Sequence, residues 1–220
     1  MKKVYPLFGI LAPLLYLVAV IIGGSQLESY SHLYNTISEI TASNVESIPS
    51  VQILFAIYNL FIIAFSVGMF LCLKTPNMKK IKTAALALFF VGLTGGGMYF
   101  FPQDPRFVEM TFGGKVHLGL ASICSLLTML SIILFGMGVK KEAALSKLRT
   151  YSYISFFIVF ITGGTAAISV ANDSDFGGLF ERLTIGSYLQ WVLVVSIQLF
   201  FLNWKTRKST KTSSLNKLNI

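Results

Sequence analysis

"VQILFAIYNLFIIAFSVGMFLCL", residues 51–73, contains no charged residue, and its reading decides the fold. A stretch of this length and apolarity matches the roughly 20 residues that a helix needs to cross the hydrocarbon core of a bilayer. Five more runs of the same kind occur: Pro6–Gly23, Thr83–Phe101, His117–Val139, Tyr151–Ala171 and Thr184–Trp204. Backbone in lipid must satisfy its own hydrogen bonds, so each run reads as a helix. The expectation is an all-α polytopic membrane protein. Residues 1–204 form a single six-transmembrane-helix bundle, and 205–220 form a basic tail.

Composition agrees. The 220 residues are 54% hydrophobic and 12% charged, with mean hydropathy +0.71. A soluble domain carries about 25% charged residues, so most of this surface must face something other than water. "MKK" before the first run resembles the start of a signal peptide, but the apolar stretch is longer than the 7–15 residues of a signal core. An uncleaved anchor is expected. Cys72 and Cys124 lie inside apolar runs with no metal-binding spacing, and read as small buried hydrophobes.

The net charge of +9 is explained by position. Fifteen of the eighteen Lys and Arg residues precede the first run, follow the last, or lie between runs two and three or four and five. These are alternate ends of successive spans, hence one side of a membrane. The positive-inside rule makes that side cytoplasmic, with both termini inside a plasma membrane and Trp204 as an interfacial anchor. Eight of the nine acids fall on the opposite side; Glu142 is the exception. The tail "KTRKSTKTSSLNKLNI" reads as a disordered segment held near anionic lipid headgroups rather than as a nucleic-acid binder.

Three polar groupings share the outer side. Ser38 and Glu39 lie in "HLYNTISEITA", a short amphipathic piece with Leu33, Ile37 and Ile40 at helical spacing. Asp104, Arg106 and His117 lie in "FPQDPRFVEMTFGGKVH", where Pro105 marks a turn. Glu181 and Arg182 open the last span after Gly177–Gly178, a turn signal. In a six-helix bundle these groupings converge at one end. Below them, His117, Ala121, Cys124, Thr128 and Ser131 form a small polar stripe, and Gln52, Ala56, Asn59, Ile63 and Ser66 form another. Ser155, Thr162 and Ser169, then Ser187, Gln190 and Gln198, add polar positions in the last two spans. Polar residues at membrane depth face the bundle interior or a cavity; small ones also serve helix packing, as the Gly92/Gly96 pair suggests.

Several chemistries fit these residue types. His117 with Asp104 and Glu39 has the ligand types for a divalent metal such as zinc, although no HExxH spacing supports it. Ser38, His117 and Asp104 have the types of nucleophile, base and orienter, without a GxSxG elbow. Arg182, Glu181 and Arg106, with Asn59 and Gln190 deeper, could bind the anionic group of a lipid or small amphiphile. In the non-enzymatic alternative, the charges are structural pairs in a sensor, transporter subunit or assembly partner.

"TISEI", "FPQDP", the histidine opening the fourth run and "GLFERLTIGSYLQWV", in that order, resemble the bacterial membrane family catalogued as domain of unknown function 998. The resemblance covers nearly the whole chain. It implies a six-span membrane protein in which Ser38, Glu39, Pro102, Asp104, His117, Glu181 and Arg182 occupy motif positions, and it implies no particular reaction.

Overall fold

Prolines mark where the first two helices start. Pro6 lies in the first turn of α1 (Tyr5–Ser25) and Pro49 is the first residue of α2 (Pro49–Cys72). There proline's missing N–H costs nothing and its fixed φ suits the helix. The computed structural model describes residues 4–46, 48–140 and 143–218, with side chains described through Leu202. The chain continues through α3 (Met78–Gly97), α4 (Phe112–Gly138), α5 (Ser146–Ala171) and α6 (Gly177–Leu218). Short 3₁₀ turns occupy Ser38–Thr41, Met98–Phe100 and Ala143–Leu145. All six α-helices contain a stretch long and apolar enough to cross a membrane, and no strand occurs among the described residues. The protein is an all-helical, multi-pass membrane protein.

The helices form a ring. Each packs on its chain neighbour, and α6 returns to pack on α1. The half of the ring nearest the termini is filled. Phe65, Met69, Ile81, Phe135, Trp191 and Leu199 are all essentially inaccessible there. Phe135 and Trp191 meet edge to face at 5.5 Å, and Trp191 Nε1 donates to Ser152 Oγ at 3.0 Å. The opposite half encloses a cavity, roofed by the connections 26–48, 98–111 and 172–176. Outward from the ring, Leu14, Leu17, Ile21, Leu126, Phe160 and Ile161 are exposed, as lipid-facing residues must be.

Four helices, α3 to α6, begin five to seven residues earlier than hydropathy indicates. α4 opens at Phe112, where the Thr111 side chain accepts from Gly114 N at 3.1 Å, satisfying one of the orphan donors of a helix start. α6 opens at Gly177, so Gly177–Gly178 is its first turn and not a loop. The pair lets the helix start press on the 26–48 connection: Gly178 N donates to Tyr34 O at 3.1 Å and Leu179 N to Leu33 O at 2.8 Å. A Cβ on Gly178 would overlap the Asn35 carbonyl. The amphipathic expectation for 32–42 holds in part: Ile37 and Ile40 are buried, whereas Leu33 is exposed. Close packing of α3 on α2 uses Gly92 and Gly95 rather than Gly92 and Gly96, since a Cβ at 95 would strike Asn59 Oδ1 while one at 96 would only touch Asn59 Cβ at 3.9 Å.

The tail differs from its sequence reading at the backbone level: α6 continues unbroken to Leu218. The expected Trp204 anchor and the expected contact of the tail lysines with lipid headgroups fall outside the described side chains.

Candidate functional site: a serine–histidine pair over an intramembrane cavity

His117 sits one turn into α4, buried, beneath the 3₁₀ turn that carries Ser38. Its Nδ1 is 2.7 Å from the Phe101 carbonyl and its Nε2 is 3.2 Å from Ser38 Oγ. A carbonyl can only accept, so the proton of the neutral ring resides on Nδ1. Nε2 then presents a lone pair to the Ser38 hydroxyl. This is the arrangement of a nucleophile and its general base, with a backbone carbonyl fixing the tautomer.

Asp104 does not take the orienter's place suggested by residue type. Its carboxylate accepts from Thr111 N at 2.7 Å and Thr111 Oγ1 at 2.9 Å, and so ties the 101–111 connection to the start of α4. Gly114 allows this: a Cβ there would overlap the same carboxylate. Nor does Asp104 pair with Arg106, two residues on.

Glu39, next to Ser38, is held from three sides. Arg106 Nε donates to Oε1 at 2.6 Å, Thr36 Oγ1 to the same oxygen at 3.2 Å, and Asn35 Nδ2 to Oε2. Arg106 also reaches Asp173 Oδ1 at 2.9 Å and Tyr34 O at 2.9 Å, with its guanidinium 4.1 Å from the Tyr34 ring centre. Burial opposes the Arg106 charge. The hydrogen bond and negative charge of Glu39 outweigh it and hold the guanidinium pKa above its ordinary value.

Glu181 and Arg182 clasp the same connection from α6. Glu181 Oε2 accepts from Ile37 N at 2.5 Å. Arg182 Nη1 donates to Asn35 O at 2.7 Å and Gly178 O at 3.0 Å, and Nη2 to Tyr30 Oη at 2.5 Å. Burial pushes the Tyr30 phenol up to about 12 against the downward pull of Arg182. The three polar groupings therefore do converge, and all three hold residues 30–39.

Under this roof lies a cavity of about 1730 Å³. Ligand pockets for drug-sized molecules run to about 1,000 Å³, so this one has room for a chain-bearing molecule. His117, Ala121, Cys124 and Thr128 line it from α4, and Gln52, Ala56, Asn59 and Ile63 line it from α2. Both stripes face inward over these positions. Ser131 and Ser66 lie deeper, buried and bonded to Thr128 O and Ile63 O. Asn59 Nδ2 donates to Phe55 O at 2.9 Å. Tyr16, Tyr58 and Tyr188 bring three phenols to the cavity wall; the Tyr188 hydroxyl is buried and makes no hydrogen bond of ordinary geometry. Gln190 is not part of the lining. It is exposed on the outside of α6 because Tyr188, Leu189, Trp191 and Val192 take the inward positions. Arg182 is likewise absent from the lining, its Nη atoms being committed to the 30–35 segment.

His117, Asp104 and Glu39 do not form a metal-binding set. Among the described residues no group of three His, Cys, Asp or Glu side chains lies close enough to share an ion. Each of these three is turned to a different partner: Ser38 and Phe101 for His117, Thr111 for Asp104, Arg106 for Glu39.

A family model described as "Protein of unknown function (DUF998)" matches residues 10–198. The chain belongs to this family. The match spans the six apolar helices in large part and contains every residue of the site, from Tyr30 to Arg182. No curated protein and no solved structure matches the chain.

Several members of the site escaped sequence reasoning. The Phe101 carbonyl carries no side-chain signal. Tyr30, Tyr34, Asn35 and Asp173 were readable only as polar loop residues, although two tyrosines in an otherwise serine-rich connection are a usable hint of a buried contact.

Proposed function

We propose that this protein is a membrane-embedded serine hydrolase or acyltransferase acting on an ester or amide of a lipid or small amphiphile. The observation that carries this reading is the Ser38–His117 pair, its tautomer set by Phe101 O, opening on a large and mostly apolar cavity. In the reaction, Ser38 Oγ attacks the substrate carbonyl carbon while its proton passes to His117 Nε2. The tetrahedral adduct collapses, breaking the carbonyl–heteroatom bond, and the leaving group takes that proton. Water or a second alcohol then attacks the acyl-Ser38, delivering its proton to His117 and restoring Ser38. Glu39, Arg106, Glu181 and Arg182 position the Ser38 turn. The distribution of basic residues supports both termini in the cytoplasm of a plasma membrane and, with that orientation, an extracytoplasmic Ser38.

The direct test is labelling with an alkyl fluorophosphonate in native membranes. The expected result is one adduct on Ser38, absent in Ser38→Ala and lost in His117→Ala. An adduct on neither Ser38 nor any other residue, in protein that retains its wild-type melting temperature, overturns the reading.

A second reading has its own observation. Most of the charged side chains of the site are satisfied within the protein: Glu39 by Arg106, Asp173 by Arg106 and Tyr34, and Arg182 largely by carbonyls. That pattern suits a non-enzymatic sensor or assembly partner, whose clasp stabilises the 26–48 connection. Failure of the labelling experiment leaves this reading in place.

A further inference from the structure

α4 and α5 are not in equal contact along their length. Near the termini, α4 and α5 touch: a Cβ on Gly136 would meet Ser152 Cβ at 3.1 Å and the Arg149 carbonyl at 3.4 Å. Toward the roofed end they part. A Cβ on Gly164 would meet nothing within 4 Å, and one on Gly163 would meet only Thr184 of α6. Between them lies a second cavity of about 270 Å³, walled by Ser122, Ser125 and Met129 on one side and Gly163, Gly164 and Ala167 on the other. It adjoins the main cavity, and the two share Ser122, Ser125, Val159, Gly163, Ala167 and Thr184 as lining.

We propose that this cleft is a lateral doorway through which one hydrocarbon chain of a bilayer lipid passes into the cavity. The inference rests on the hydrolase reading for what happens at Ser38, but not for the passage itself. Two observations favour a lipid chain over a solute from water. The cleft opens between two membrane-crossing helices, and its flanks, Leu118, Leu126, Phe160 and Ile161, are exposed apolar side chains. Ser125 lies eight residues along α4 from His117, roughly 12 Å at 1.5 Å per residue. The door therefore opens within one leaflet of a hydrocarbon core about 30 Å thick, while the dyad stays at that leaflet's polar edge. The small side chains at 163, 164 and 167 leave a gap that larger residues would close.

The test uses full-length protein in phosphatidylcholine–phosphatidylglycerol vesicles containing a phosphatidylcholine with a diazirine near the end of one acyl chain. After illumination, adducts are mapped by mass spectrometry. The expected result is labelling of cleft residues 122–129 and 159–167 and of the cavity wall around Asn59 and Tyr188, beside general labelling of the outer face of α1. In Gly164→Trp, the cavity-wall adducts are lost and the α1 adducts persist. Wild-type adducts confined to outer faces overturn the proposal, as do cavity adducts that survive Gly164→Trp. If Gly164→Trp does not fold, as judged by its melting curve, the wild-type map decides alone. The fluorophosphonate result separates the two ideas: cavity adducts in wild-type protein whose Ser38 does not react with fluorophosphonate retain the doorway and discard the nucleophile.

Discussion

The imidazole of His117 reaches the hydroxyl of Ser38 across 79 positions of sequence, at 3.2 Å, while its other nitrogen is fixed on the Phe101 carbonyl at 2.7 Å. Neither contact alone would suggest chemistry. Together they select one tautomer and aim its lone pair at a hydroxyl facing a cavity. A distance of 3.2 Å is long for a productive O–H···N bond, and catalytic hydrogen bonds often tighten only when substrate closes the site.

The first prediction separates the carbonyl orienter from the carboxylate that residue types alone would nominate. His117→Ala removes the base, and general-base catalysis is typically worth about 10²–10⁴ in rate. Asp104→Asn keeps one acceptor for Thr111 and never touches His117, so its turnover should remain within a few-fold of wild type. Turnover of a fluorogenic long-chain ester in vesicles measures both. Equal losses in the two variants would return Asp104 to the catalytic machinery.

The second prediction concerns the Glu39–Arg106 pair, whose side chains are only 12% and 15% exposed. Arg106→Met leaves the Glu39 carboxylate with only Asn35 and Thr36, and a half-buried charge stripped of its cation costs about 1–3 kcal/mol. Glu39→Gln should cost a similar amount, and the double variant less than the sum, because neither charge is then stranded. Asp173 is 48% exposed, so Asp173→Asn should cost no more than about 1 kcal/mol. Melting temperatures in one detergent, arranged as a double-mutant cycle, read all of these. Strict additivity would mean that the pair contributes nothing as a pair.

Span number and helical class were legible because apolar length is a strong, local signal: the six runs each fall largely within one helix. Helix starts were less legible. Lys115 looks like a loop residue on a hydropathy scale, yet it is helical, since backbone hydrogen bonding does not stop at the edge of an apolar run. Residue types nominated Ser38 and His117, and their convergence followed from six-helix geometry. Arg182 and Gln190 misled for opposite reasons. Arg182 is spent on backbone carbonyls, a partner invisible in a side-chain pattern. Gln190 shares the α6 periodicity of polar residues, but in a ring whose interior is only half cavity a polar residue can face outward. Asn59, placed by the same reasoning, does line the cavity.

The third prediction is a pH dependence. Tyr30 has a folded-state pKa of about 12 against roughly 10 in an unfolded chain. The folded state holds this proton more tightly, so the contribution is fully present below pH 10 and is lost as pH rises from about 10 through 12. Tyr30→Phe removes the titration together with the acceptor for Arg182 Nη2. That variant should melt below wild type at pH 8, and the gap should narrow as the pH passes from 10 to 12. A gap that stays constant over that window would mean that Tyr30 ionises alike in both states.

The fourth prediction links the fold to the site through one glycine. Gly178 is the second residue of α6, and a methyl group there would overlap the carbonyl of Asn35 and approach Arg182 Nη1 at 2.8 Å. The obstruction is mainly backbone, which cannot rotate away, so Gly178→Ala must push residues 34–35 off the start of α6. The hydrogen bonds from Gly178 N and Leu179 N and the Arg182 clasp weaken together. Overpacking of this kind costs about 1–3 kcal/mol. The larger consequence is positional, because Ser38 lies three residues beyond Asn35 and a shift of about 1 Å at a reacting group can cost on the order of 10²-fold in rate. Gly178→Ala should therefore lose more turnover than its melting temperature suggests, and the 26–48 connection should become cleavable by added protease under conditions where wild type is resistant. Wild-type protease resistance with wild-type turnover would show that the start of α6 does not hold Ser38 in place.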